Sequence, residues 1–376
     1  MTVIERVDVF PLSLPRPDGG ARVYRTRPPW LSIYGSRRES LVIRIVADDG
    51  TVGWGEALAP VAPEVPARIV EQLFRPVLVG ADPLPVRPTI DRLRDLMRER
   101  GHLGGHQGDA LAAVDIALWD LAGKLIGQPV AQLLGGAYRE VVPTYVSGLP
   151  GKDDAERVAQ AREWVARGTT QVKVGLGYGV KADIATVEAL RAVDDDLRVA
   201  VDVHGVYDVG DALRLGRALD ALGAWFLEIP VAFEDVAGHA ALAAKLDLPI
   251  ALGENLRHRY EFRPFVEARS IGLLQPDIGR TGITEGLAIA QYAESHHLGV
   301  APHHSAGLGI AVAAGLHVSA AAGNLVALEY HPTLFAEVNR ILATPLEPTA
   351  TGMALPSGPG LGVDVDAEVV EELVAS

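Results

Sequence analysis

QVKVG (171–175), VAVDVHG (199–205), WFLEIP (225–230) and IALGEN (250–255) each bring an apolar run to a side chain able to do chemistry: Lys173, Asp202, Glu228 and Glu254. Short runs rich in β-branched residues read as strands buried on both faces of a parallel sheet. The four polar residues are 29, 26 and 26 positions apart, and the rhythm continues downstream. Asp277 follows after 23 residues, His303 after 26 and Glu329 after 26 more, behind LLQP, GVAP and LVAL. A repeat of buried strand, terminal polar residue and helix predicts an α/β chain built as a (β/α) barrel, whose chemistry gathers at the C-terminal strand ends.

Working outward, VPTYVSG (142–148) reads as the first barrel strand. Before it, VIERVDVFPL (3–12), ESLVIRIVADDG (39–50) and TVGWGEA (51–57) alternate as antiparallel strands, with ADDG as a hairpin turn. Residues 64–98 turn helical, and Gly108 to Leu125 places Leu111, Val114, Leu118 and Leu121 at helical spacing until Gly127 and Pro129 stop it. Residues 1–128 therefore form an α+β capping domain and 129–339 the barrel. The stretch LATPLEPTATGMALPSGPGLG (342–362) is too rich in Pro and Gly for an eighth helix, so 340–376 is expected to return to the capping domain and complete it. Eight strands and seven helices make the barrel (β/α)7β. Arg16 to Arg38, with Arg22, Arg25, Arg27, Trp30 and Tyr34, reads as a long loop of the kind that is either a lid or disordered.

With 376 residues, the chain is long enough for a barrel and a second domain. A net charge of −14 argues against nucleic acid or an anionic membrane as partner, and the absence of cysteine excludes disulfides, thiolate nucleophiles and iron–sulfur clusters. Leu298 to Leu328 carries no charged residue, but Pro302, His303, His304 and several glycines interrupt it, and the barrel rhythm divides it into strand, helix and strand. The expected protein is cytoplasmic and homo-oligomeric, with a small carboxylate as its partner.

Asp202, Glu228 and Glu254 would stand side by side on three consecutive strands. Three close carboxylates repel one another unless a cation lies between them, and an all-oxygen set favours Mg²⁺, with Mn²⁺ as a substitute. The chain has five lysines against 29 arginines, so a lysine inside a strand is a choice. An amine can give up its proton where a guanidinium cannot, which suits Lys173 for a base. Asp277 and His303 end the next two strands, so the carboxylate could fix the imidazole's tautomer and raise its basicity. Strand alternation favours His303 over His304 as the inward ring.

These residues resemble the enolase superfamily, and within it the mandelate racemase and muconate lactonizing enzyme branch. The resemblance rests on ALAAVDIALWDLAGKLIGQPVAQLLGG (110–136), the D-x-H, L-E-x-P and G-E-N strand ends, QPDIGRTGITEG (275–286) and APHH (301–304). It implies a modified TIM barrel with Mg²⁺ on Asp202, Glu228 and Glu254, Lys173 as the second lysine of a K-x-K motif, and an Asp277–His303 dyad. It also implies that Glu329 helps to hold the substrate's carboxylate group. The implied chemistry is removal of the proton α to a carboxylate, giving an enediolate; such sites are a standard example of a Lys or His base working with Mg²⁺.

Two departures are informative. Gln171 stands where the first lysine is usual, and His204 stands where the metal strand commonly has Asn, which is similar to sugar-acid dehydratases. His204, two residues from a ligand, would share its face and protonate a departing hydroxyl. The expected activity is dehydration of an aldonate or aldarate, with His303 as base, His204 or Lys173 as acid, and Gln171, His304, Arg22, Arg25, Trp30 and Tyr34 contacting substrate. A racemase, epimerase or cycloisomerase is the alternative, and a non-catalytic barrel the third reading. If the lid closes over substrate, proteolysis within 16–38 slows when a carboxylate ligand is added; equal cleavage with and without a tight ligand would remove the lid.

Overall fold

Strands dominated by Val, Ile and Leu open the chain, and all three pair as neighbours. The computed structural model describes residues 2–15 and 37–374. β1 (Ile4–Pro15), β2 (Arg37–Ala47) and β3 (Val52–Ala57) form an antiparallel sheet in sequence order. The pair Pro15↔Arg37 closes the base of the β1–β2 connection, while Arg22, Arg25, Arg27, Trp30 and Tyr34 lie outside the described residues. α1 (Glu64–Ile69) runs through a π turn into α2 (Arg75–Leu78); α3 (Val86–Arg98), α4 (His106–Ile126) and α5 (Val130–Leu133) follow. α4 ends at Gly127, whose φ of 74° is the left-handed stop expected of a glycine there. Leu111, Val114, Leu118 and Leu121 are buried, but so is nearly every other residue of α4, because its small Ala and Gly side chains let both faces pack.

The strand rhythm becomes a closed barrel. β4 (Val141–Ser147), α6 (Asp154–Ala166), β5 (Gln171–Gly175), α7 (Val180–Arg191), β6 (Arg198–Asp202), α8 (Val209–Ala221), β7 (Leu227–Glu228) and α9 (Val236–Ala243) form the first half. β8 (Ile250–Leu252), α10 (Arg259–Glu267), β9 (Leu273–Leu274), α11 (Ile278–Ser295), β10 (Gly299–Val300), α12 (Gly309–Ala321) and β11 (Leu328–Tyr330) complete it. The eight strands are parallel, in the order β10-β9-β8-β7-β6-β5-β4-β11. Val326 N donating to Val300 O at 2.8 Å and Glu329 N to Pro302 O at 3.1 Å join the ends, giving a (β/α)7β modified TIM barrel beside an α+β cap. Val172, Val174, Val199 and Val201 face the helices. Tyr145, Ala200, Phe226, Ala251, Leu273, Ala301 and Ala327 fill the interior, where four alanines leave room for two aromatic rings. The uncharged stretch after Leu298 supplies β10, α12 and β11, and among the described residues no helix is long and apolar enough to cross a membrane.

Beyond the barrel come α13 (Phe335–Val338), β12 (Gly352–Ala354) and α14 (Ala367–Glu372). The Pro- and Gly-rich stretch holds no helix between 342 and 362, yet three of its residues form β12, antiparallel to the start of β4, a pairing that local composition does not signal. Further on, Ser13 N donates to Leu373 O at 2.9 Å, and Leu12 bridges Val374.

A buried carboxylate joins the two layers. Glu56 on β3 accepts from Leu308 N at 2.6 Å and Ala311 N at 2.9 Å, the free donors at the start of α12, and from Ser40 Oγ at 2.8 Å. Replacing Glu56 by Ala strands these donors and should cost about 1–3 kcal/mol for each unsatisfied group, read as a lower denaturation midpoint. Burial pushes the Glu56 carboxyl up to about 7 from 4.5, against the pull of its donors. The folded state thus holds this proton more tightly than the unfolded chain. The linked stability is complete below about pH 4.5 and is lost as the pH rises towards about 7. Denaturation of Glu56→Gln across that window should show a shallower decline than wild type, and parallel curves would refute the assignment.

Candidate active site

Inward alternation on β5 selects Lys173 between Val172 and Val174, and on β6 it carries Asp202 two residues beyond inward Ala200. Asp202 and Glu228 are direct partners across β6 and β7. Glu254 reaches the same level because Gly253 lets β8 touch β9: a Cβ at Gly253 would lie 2.6 Å from the backbone of Gln275, at a φ of +156°. Asp277 and His303 pair as a parallel bridge just beyond β9 and β10, and Glu329 lies in β11.

These groups are buried and share one hydrogen-bonded cluster. Lys173 Nζ lies 2.8 Å from both Glu228 Oε2 and Glu329 Oε1. Gln275 Nε2 donates to Glu228 Oε2 at 2.7 Å. His303 Nδ1 meets Asp277 Oδ2 at 2.7 Å, and its Nε2 lies 2.9 Å from Glu254 Oε2. His204 N donates to Asp202 Oδ1 at 2.8 Å, and its Nδ1 stands 3.4 Å from Glu254 Oε1. Lys173, Asp202, Glu254, His303 and Glu329 line one cavity with about 340 Å³ of non-atom space including its mouth.

Negative charge is in excess there. Burial, with Asp202, Glu329 and Glu254 close by, pushes the Glu228 carboxyl up to about 8, although Lys173 pulls the other way. Burial also disfavours charge on Lys173, but Glu228 and Glu329 outweigh it and hold the amine well above its usual value. For His303, burial is likewise overcome by Glu254, Glu329 and Asp277, and the imidazole is raised well above normal. Burial opposes the charge on Glu329, yet Lys173 and His303 bring its carboxyl down to about 2.

The structure refines several expectations. His204 does not share a strand face with Asp202, because β6 ends at Asp202 and His204 takes a left-handed φ of 47°; the turn, rather than alternation, directs the ring to Glu254. His304 lies behind the cavity with Asp277, Ile278 and Ala311, its Nε2 without a hydrogen-bond partner, and burial lowers it to about 4. Gln171 sits at the start of β5, one inward position below Lys173 and away from the cavity lining, with its Oε1 buried and unpartnered. Lys173 is an ion-paired ammonium as the side chains stand. Sequence reasoning missed Gln275, whose signal was a polar residue two positions after inward Leu273, and Tyr145, whose ring centre lies 5.8 Å from Lys173 Nζ.

The donor set fits a hard divalent cation. Asp202, Glu228 and Glu254 offer only oxygen, and Glu228 Oε1 is buried without a partner. Among the described residues no three acids or histidines are gathered closely enough to hold a metal as the rotamers stand, since the acids are turned to Lys173, Gln275 and the two imidazoles. If Gln275 orients Glu228 for the ion, Gln275→Leu should weaken Mn²⁺ affinity about 10- to 100-fold in a spin-resonance titration; unchanged affinity would remove that role.

Comparison with known proteins places these residues in a family context. Residues 21–135 match the N-terminal domain of mandelate racemase / muconate lactonizing enzyme, and residues 156–369 match the enolase C-terminal domain-like family. A D-galactarolactone cycloisomerase from Agrobacterium fabrum is 33% identical, covering 89% of this chain and 91% of its own. A D-galactonate dehydratase from Verminephrobacter eiseniae is 34% identical, covering 93% and 92%. The crystal structure of a member of the enolase superfamily from Agrobacterium tumefaciens superposes with a TM-score of 0.93 at 34% identity, covering all of both chains.

Proposed function

The chain belongs to the mandelate racemase / muconate lactonizing enzyme family, with its enolase C-terminal domain-like barrel, and from that premise we propose that it is a sugar-acid dehydratase. The supporting observation is the Asp277–His303 pair, 2.7 Å apart, facing Lys173 and three acids across one cavity. His303 takes the proton from the carbon α to the substrate carboxylate, and Asp277 holds the ring's Nδ1 so that Nε2 faces the substrate. His204 or Lys173 gives a proton to the β-hydroxyl, which leaves as water, and the resulting enol becomes the 2-keto acid. Glu329 positions the substrate's carboxylate end together with Lys173. A Mg²⁺ or Mn²⁺ ion held by Asp202, Glu228 and Glu254 would offset the negative charge that develops on the substrate carboxylate. Gln171 and His304 support the substrate-contacting shell from behind.

The second reading, a cycloisomerase or epimerase, is favoured by one feature: Lys173 on β5 and His303 beyond β10 are proton carriers on separate walls of the same cavity. The kinship to the D-galactarolactone cycloisomerase adds to it.

Product analysis separates the two. With D-galactonate and other aldonates in Mg²⁺ buffer, the chain should form 2-keto acid, lose activity on chelation and recover it with Mg²⁺ or Mn²⁺. His303→Asn should lose both α-proton exchange in D₂O and product. His204→Asn should keep exchange while losing product by about 10²- to 10⁴-fold. Isomerised acid without 2-keto acid establishes the second reading, and near wild-type dehydration by His204→Asn moves the acid role to Lys173.

A further inference from the structure

The mechanism above leaves one imidazole of the cavity wall without work. His331 follows Glu329 by two residues, just past β11. Its ring lies edge-on against Gly148 at the end of β4, where a Cβ would fall 2.3 Å from Nε2 and 2.4 Å from Cε1. Gly148 also has a φ of +71°, so the close approach and the turn both require glycine. His331 is 7% exposed and lines the same cavity as Lys173, Glu254, His303 and Glu329. Its Nδ1 is 3.0 Å from Thr333 Oγ1. With that hydroxyl donating to Nδ1, the neutral ring carries its proton on Nε2. Burial keeps the ring uncharged by lowering it to about 4, with Glu329 opposing and Lys173, His304 and Arg38 reinforcing the shift. A neutral donor suits an uncharged oxygen, since it brings no positive charge to draw the substrate's carboxylate away from Lys173.

We propose that His331 is a substrate-binding residue whose Nε2–H donates to a hydroxyl of the polyhydroxy acid away from the reacting carbons, so that it selects among hydroxylated chains. This rests on the sugar-acid reading. The test uses the full chain with Mg²⁺ and compares wild type, His331→Leu, His331→Gln and Thr333→Val on D-galactonate and its monodeoxy analogues, with calorimetric binding alongside turnover. His331→Leu should raise KM at least about tenfold while kcat changes less than about threefold, as expected for an interaction made equally in ground and transition states. His331→Gln places an amide N–H near the Nε2 position and should recover most of the loss. Thr333→Val, at an exposed residue, should show a smaller loss of the same kind. On one deoxy analogue, wild type and His331→Leu should become equal. Equal KM in wild type and His331→Leu, or a fall in kcat that His331→Gln does not rescue, overturns the proposal. If wild type binds the acid without forming 2-keto acid, the dehydratase reading fails, and weaker binding by His331→Leu still upholds the role of His331. If wild type does not bind aldonates at all, both fall.

Discussion

Unbalanced negative charge in a dry place is the constraint on which this site depends. Asp202, Glu228, Glu254, Asp277 and Glu329 are all buried at one end of the barrel, with Lys173 and His303 as the cations bonded among them. Isolated carboxylates removed from water are costly, and pairing offsets that cost only where the geometry is good. The rotamers reflect it: Lys173 is shared between Glu228 and Glu329 and His303 between Asp277 and Glu254, while burial and the acids crowded around Glu228 still raise its carboxyl above the ordinary range. Such a cluster is expensive as structure alone. It makes sense as a place for a divalent cation and an anionic substrate, whose arrival would redistribute the acids that now hold the bases charged.

The rest of the fold holds that cluster still from outside the barrel. α4 lies between β3 and α11 and carries three buried aspartates, Asp109, Asp115 and Asp120. Asp115 accepts from Thr284 N at 2.9 Å, and Asp120 from Trp54 N and Leu361 N, both at 2.8 Å. Arg257, three residues after Glu254, pairs with Asp109 of α4 at 3.1 Å, so the loop carrying a proposed ligand is anchored on the cap. Arg94 of α3 and Arg259 of α10 share Glu285 at 3.0 and 2.7 Å. The Arg257–Asp109 and Arg94–Glu285 pairs are largely buried and cross between the two layers, where loss of one partner leaves a charge uncompensated.

Strand-end acids were legible in the sequence because period and position coincide: a buried strand announces itself locally, and its last residue must lie at the barrel's mouth. The barrel, its seven helices and the antiparallel N-terminal sheet followed from the same local signals. What local pattern could not show depends on pieces distant in the chain. Gln275 matters because β9 lies near β7 in the closed barrel, and β12 exists because the start of β4 offers an edge. His204 reaches Glu254 through a left-handed turn that no alternation rule anticipates. The proton affinities of Lys173 and His303 were beyond reach for a further reason, since they are set by sums over several buried neighbours.

The return of the C-terminal segment has a consequence for biosynthesis. The bridge between Leu12 and Val374 and the ladder of β12 on β4 complete strands that were made much earlier. While the chain emerges from a ribosome, the edge of β1 at Leu12 and Ser13 and the start of β4 stay open until the segments that pair with them have been translated. Unpaired strand edges are templates for other chains, and contacts so distant in sequence close slowly. The nascent chain therefore carries exposed pairing sites through most of its synthesis, and β12 and the residues that follow α14 are the cover that ends that exposure.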